Sequence, residues 1–381
     1  MKRTVLSFLL LLFPFVRTWA AEPVMDSDLF QVCRVSASGT VQTGRYANAE
    51  RTEQKALTIV QEQFGPVHPS VVPVLNDLAT IQRYMGQYRE AEKNYRWGLA
   101  IRQQKLGPAD PQVAESLAYL AGLYTDLADY DEALLDYEQA LSIRERTTGK
   151  TSLEVANILR DMGNLLTLMN RGSEATTALK RCLSIQEKAW GPEDLRLVET
   201  LELSARAAQT NGKGDQAEAF LKRALALLQK NLTPDRLEIA DSMQKLADLY
   251  RSEGFSDKSK ELYLKVAMLR DKLTGTDLYM MQPNLYGAAL ADLALGRLKE
   301  SKGLFDRILK FRKELYGADH PKVALCLEDM AFLYEKEGKK EKALETLKEA
   351  KGILEKVLDP DHPAILRLQK KLDSISRPEK G

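Results

Sequence analysis

Five groups of residues in this 381-residue chain have types or spacings that could do chemistry. Gly212-Lys213-Gly214-Asp215-Gln216-Ala217 fits the loose Gly-x-Gly-x-x-Ala pattern of a dinucleotide site, where glycines let the backbone approach a pyrophosphate. Gly149-Lys150-Thr151 ends like a phosphate loop, whose lysine reaches the phosphate chain. Ser242-Met243-Gln244-Lys245 has the spacing of a serine nucleophile one helical turn from a lysine. His68, His320 and His362 could act as bases or metal ligands, and Cys33, Cys182 and Cys326 as nucleophiles or disulfide partners. Each group must be weighed against the element that would position it.

None keeps its chemistry in that light. A dinucleotide glycine pattern follows a strand, whereas residues 212–217 fall between two helical stripes. Arg144 stands where a phosphate loop needs its first glycine. No supporting motif accompanies the Ser-x-x-Lys tetrad. The cysteines lie 149 and 144 residues apart in an odd number, which reads as three isolated, unpaired thiols behaving as small hydrophobes. The expectation is a protein without catalytic residues, metal or cofactor.

The composition points the same way. Hydrophobic residues make up 44% and charged residues 29%, with 55 Lys+Arg against 54 Asp+Glu. That balance is globular, and it lacks the basic excess of a nucleic-acid binder. The run Lys336-Glu337-Gly338-Lys339-Lys340-Glu341-Lys342 interleaves acids with its lysines and reads as a solvated turn. At the N-terminus, Lys2 and Arg3 precede an uncharged stretch from Thr4 to Val16, and Ala20-Ala21 offers a cleavage point. This is the order of a secretory signal peptide, too short for a comfortable membrane span. Residues 1–21 are therefore expected to be removed, leaving a mature chain that begins at Ala21 or Glu22. Losing Lys2, Arg3 and Arg17 takes the charge from +1 to −2. The expected location is periplasmic or extracellular, without stable membrane insertion.

One regularity organises the whole chain. Gly65, Gly107, Gly149, Gly191, Gly275 and Gly317 fall on a ladder of 42 residues, with Thr233 and Asp359 on its remaining rungs. The turn Leu106-Gly107-Pro108-Ala109-Asp110-Pro111 recurs as Tyr316-Gly317-Ala318-Asp319-His320-Pro321. The three histidines share this turn in different repeats, which suits helix capping better than catalysis. Between turns, Val113, Leu117, Leu120, Ala121 and Tyr124 make one amphipathic stripe, and Ala133, Tyr137, Ala140, Leu141 and Ile143 a second. Each unit is thus two helices, with reversals expected near Gly86, Asp129, Gly172, Gly212, Gly254, Gly296 and Gly338. Pro73 and Pro283 fall inside first helices, which should start late or kink.

In Leu117, Leu120, Ala121, Tyr124, Ala133, Tyr137 and Ala140 the chain resembles the tetratricopeptide repeat family, and its 42-residue period resembles the kinesin light chain type. The resemblance implies an all-α, right-handed solenoid of antiparallel helix pairs. Residues 22–63 would form a degenerate N-terminal cap, 64–358 seven repeats, 359–375 a closing helix and 376–381 a disordered tail. The third, fourth and sixth repeats depart from the pattern, with Leu166, Ala208 and Asp292 at the place of Tyr124.

The resemblance further implies a concave groove lined by first helices, holding a protein or peptide partner. The groove stripe is polar at Asn157, Arg160, Asn164, Glu202 and Arg206, and apolar at Tyr286, Leu290, Leu293, Leu325 and Phe332. Either the apolar stretch is a docking surface, or tight superhelical curvature or the closing helix around Ile365, Leu368 and Leu372 covers it. The expected function is an exported, non-catalytic interaction scaffold. A homo-oligomeric envelope component or an accessory enzyme subunit are the alternatives.

Overall fold

The computed structural model describes residues 43–274, 278–358 and 360–376, which hold sixteen α-helices and no strand. They fall into two compact units that divide between Gly212 and Lys213. In the first, α1 (Thr43–Phe64) precedes three helix pairs and α8 (Leu197–Thr210). The pairs are α2 (Val71–Tyr84) with α3 (Tyr88–Leu106), α4 (Pro111–Asp126) with α5 (Tyr130–Thr147), and α6 (Leu153–Leu168) with α7 (Gly172–Trp190). The second unit begins with α9 (Gly214–Asn231) and ends with α16 (Pro363–Ser376). Its pairs are α10 (Leu237–Ser252) with α11 (Ser256–Thr274), α12 (Leu278–Ala294) with α13 (Leu298–Tyr316), and α14 (Pro321–Lys336) with α15 (Lys340–Glu355). Within each unit every helix packs on its predecessor, and the first helices of successive pairs also touch, α2 to α4 to α6 and α10 to α12.

The all-α reading and the paired helices are as the sequence implied. Residues 1–21, the first helix expected in the N-terminal cap, and Cys33 lie outside the described residues. So does the tail from residue 377, while Ser376, expected to begin it, is the last residue of α16. Helix α2 starts at Val71, two residues later than the repeat position of Pro111, and α12 runs through Pro283.

The reversals within pairs have one geometry. Gly86, Gly254, Gly296 and Gly338 take φ of +70° to +80°, and Ala128 and Asn170 fill the same rung at +62° and +59°. The next amide bonds back five residues, Asp129 N–H to Tyr124 C=O at 2.9 Å and Arg171 N–H to Leu166 C=O at 2.8 Å. This closes the helix end in a Schellman turn. The turns between pairs are capped by side chains. Asp110 Oδ1 accepts from Gln112 N–H at 2.8 Å, and the histidine Nδ1 atoms accept equivalently: His68 from Ser70, His320 from Lys322 and His362 from Ala364, at 3.1–3.2 Å.

Packing follows the repeat. Ala91, Ala133, Ala175, Ala217, Ser259, Ser301 and Ala343 share a rung and are all fully buried. Small residues there let helix axes approach, and Tyr95, Tyr137 and Phe305 fill the space beyond. Cys182 takes the small-residue place of Ala140 and is fully buried; burial pushes its thiol up to about 12. Cys326 is buried likewise, and both are free thiols.

Candidate functional site

The face expected to line a groove belongs to the first helix of each pair, and it is built differently in the two units. In the first unit, Asn157, Arg160 and Asn164 run along α6 at spacings of three and four, one helical stripe. Glu199, Glu202 and Arg206 repeat that stripe on α8, 42 residues later. Helix α6 touches α8 directly, so equivalent rungs meet across the step. Arg160 Nη1 lies 3.3 Å from Glu199 Oε2 and Arg206 Nη1 donates to Asn164 Oδ1 at 3.3 Å. Arg160 also pairs with Asp161 at 2.9 Å. Asn157 and Glu202 are half-buried beside them. An earlier step has the same kind of contact, Arg83 Nε to Asp126 Oδ2 at 2.5 Å. The polar stripe therefore carries separate charge-assisted hydrogen bonds between the first helices of successive repeats.

In the second unit the apolar stripe divides in two. Leu293 is a correction: at 8% exposure it belongs to the core, clustered with Leu285, Ala289, Phe305, Ile308 and Met330. Thr167 is equally buried at the same rung, whereas Gln209, Arg251 and Glu335 there are exposed, so the burial of Leu293 is set by its own neighbours. Tyr286 and Leu290 are half-buried against the same cluster. The Tyr286 ring meets Phe305 edge-on at 5.9 Å and lies 4.4 Å under the Arg312 guanidinium, and its hydroxyl donates to Asp329. Burial first, then the Asp329 charge, raises the Tyr286 phenol above its usual range, and burial raises the Asp329 carboxyl as well. Tyr286 is thus anchored rather than free to meet a ligand.

Leu325 and Phe332 remain. They stand seven residues apart on one face of α14 and are 42% and 44% exposed. The Lys336 ammonium sits 5.3 Å from the Phe332 ring. Between them Glu328 is buried, holding Arg367 at 2.7 Å and Lys371 at 2.6 Å from α16. Burial opposes the charge on Glu328, but these two hydrogen bonds keep its carboxyl below its ordinary value. The closing helix packs elsewhere: Ile365, Leu368 and Leu372 cluster with Val323, Leu327, Ala331 and Leu347 on another face of α14. It leaves Leu325 and Phe332 uncovered.

The other candidates for chemistry are placed as structural parts. Ser242 is fully buried in α10. Gly212-Lys213-Gly214 stands between two helices. Among the described residues no group of three or more His, Cys, Asp or Glu is arranged to hold a metal ion, and no helix is long and apolar enough to cross a membrane. Reading the sequence alone missed Asp329 and Arg312, although Asp329 lies 43 residues from Tyr286, the same interval as Arg83 and Asp126.

Comparison with known proteins bears on fold and family. Several solved structures are similar. BtubC (BKLC) from P. vanneervenii matches at 23% identity and a TM-score of 0.52, over 60% of this chain and 91% of that one. A kinesin light chain-like protein of nearly identical TPR-like repeats from Podosopora anserina matches at 24% and 0.50, over 54% of this chain and 97% of that one. The signal transduction ATPase PH0952 from Pyrococcus horikoshii, with its tetratricopeptide repeat sensor, matches at 13% and 0.59, over 91% of this chain and 52% of that one. At these identities the likeness is one of fold. Among curated proteins none matches the sequence significantly. The tetratricopeptide repeat profile matches residues 37–104, 106–188, 196–269 and 282–356, most of the chain and in the register of the paired helices: the protein belongs to the tetratricopeptide repeat family.

Proposed function

We propose that this protein is an exported, non-catalytic scaffold that docks a segment of a partner protein on the first-helix face of its repeats. Members of this family generally bind proteins, and no convergent set of titratable side chains here argues for catalysis. The observation that carries the reading is the pair Leu325 and Phe332, large apolar side chains left exposed on one stripe of α14 although a closing helix packs beside them. An apolar stripe flanked by polar rungs is the surface of an interaction site. The partner segment presents an apolar face to Leu325 and Phe332. Export rests on the order of residues 1–21.

The test is capture of a partner from the native envelope or secretome by the mature protein. Leu325→Asp with Phe332→Asp should abolish capture while the melting temperature stays within about 2 °C, as expected for exposed positions. Tyr286 is unsuitable for this test because its removal disturbs the Phe305 and Asp329 contacts. Undiminished capture by the double variant overturns the assignment of the face. A self-association lost in the same variant would instead favour the homo-oligomeric reading.

A further inference from the structure

The turn after α5 differs from its counterparts in a way that changes charge. At the rung of Lys150 the other turns carry Pro66, Pro108, Pro192, Pro234, Thr276, Ala318 and Pro360, none of them basic. At the next rung Thr151, like Val67 and Ala109, is not acidic, whereas Glu193, Asp235, Asp277, Asp319 and Asp361 are. In the second unit that acid pairs with a lysine 37 residues on: Asp235 with Lys272 at 2.8 Å and Asp319 with Lys356 at 2.7 Å. The lysine 37 residues after Thr151 is Lys188, which has lost that acid. One cation has been gained and one counter-charge removed at the same place.

That place is a cavity. Lys150, Thr151, Lys180, Arg181 and Lys188 line about 330 Å³ of open space between the turn and α7, with the buried Ile185 among them. Arg181 ties the turn down, its Nη2 donating to the Lys150 carbonyl at 2.8 Å. Its charge is met by Glu145, 2.6 Å from Nη1. Among the described residues Lys150, Lys180 and Lys188 have no acid within ion-pair distance. Three such ammonium groups around one hollow repel each other until an anion enters.

We propose that this cavity binds the phosphate chain of a small soluble oligophosphate. Lys150, Lys180 and Lys188 would supply charge and the Thr151 hydroxyl would donate to a phosphate oxygen. Ammonium groups act as compact point charges toward phosphate, and several can share a chain of them. No aromatic ring lines the cavity to stack on a base, so the phosphate chain and not a nucleobase is recognised. The site lies against the second helix of its pair, and it is separate from the first-helix face proposed to dock a protein.

Calorimetric titration of the full chain with sodium tripolyphosphate at low salt tests this. Saturable, salt-sensitive binding is expected. Lys150→Pro with Thr151→Asp installs residues that neighbouring turns already carry, and should weaken binding about tenfold or more, on the scale of a lost charge-assisted contact. Lys188→Gln, an exposed change, should weaken it severalfold and decides the matter if circular dichroism shows the turn variant misfolded. Lys340→Gln with Lys342→Gln, at another lysine-rich turn, should change nothing. Unweakened binding in the first two variants, or an equal loss in the third, overturns the site in favour of diffuse charge. Binding to vesicles of anionic phospholipid without binding to tripolyphosphate also overturns it, and assigns the patch to a membrane surface.

Discussion

Ala128 carries a left-handed backbone, φ +62°, at a rung where five other turns have glycine. A side chain in that region costs roughly 1–2 kcal/mol, and glycine relieves it at some entropic cost in the unfolded chain. Ala128→Gly should therefore raise stability by about 0.5–1 kcal/mol in denaturant titration. Burial also pushes the Asp136 carboxyl up to about 6, against the pull of Arg96. A carboxyl that ionises near 4 unfolded and near 6 folded contributes stability at low pH that is lost as pH rises through 6. The melting temperatures of Asp136→Asn and wild type should agree near pH 4 and separate in favour of the variant by pH 7. At Cys182 and Cys326, burial holds the thiols up at about 12 and out of reach. Both should label slowly with iodoacetamide until denaturant is added; rapid labelling of Cys182 in native protein would contradict its buried place. The capping histidines and the small-residue place of Cys182 were legible because each is repeated. The exposure of Leu293 was not, since spacing places a residue on a stripe without saying which end of the stripe turns inward.

At the scale of helices, one contact recurs 32 residues apart and accounts for two of the irregular repeats, the third and the sixth. Tyr124 donates to Glu92 at 3.1 Å, Tyr250 to Glu218 at 2.7 Å, and Gln82 Nε2 to Glu50 at 3.2 Å. Where the sixth repeat has Asp292 in the tyrosine's place, Lys260 replaces the glutamate and its ammonium lies 2.6 Å from Asp292 Oδ1. Between the second and third repeats both positions are leucine, Leu134 and Leu166, packed in one cluster. At these two steps both partners change together, so Asp292, fully buried, is compensated by the second helix of the preceding repeat. Lys260→Leu alone should cost about 3 kcal/mol, since it strands a buried carboxylate. Adding Asp292→Leu should recover most of that by copying the third repeat. A double variant no more stable than the single one would show that the pair does not act as a unit. The 42-residue register made these positions visible as departures from a pattern. Their reason became visible only when the helices were placed side by side.

At the scale of the whole molecule, each helix within a unit touches its neighbours in sequence and little else, so the stability of each unit should be close to a sum of local terms. Ala128→Gly in the first unit and Lys260→Leu in the second share no contact, and their effects should add within about 0.5 kcal/mol. A clear deviation would mean that the two sites are energetically coupled. If export is right, mass spectrometry of protein secreted by its own host should find a chain beginning at Ala21 or Glu22, and an intact Met1 would refute it. The sequence by itself determined the helices, their pairing, their turns and their family, because a period without insertion repeats every local signal until chance is excluded. It also placed most of the residues whose types could do chemistry on structural rungs. Tertiary structure decided which apolar side chains stay open: Leu293 closes into the core, Tyr286 is tied to Asp329, and Leu325 and Phe332 are left outside. It also gathered Lys150, Lys180 and Lys188 around one hollow. Exposure and charge density depend on what the neighbouring helix brings to a position, and no single stripe of sequence contains its neighbour.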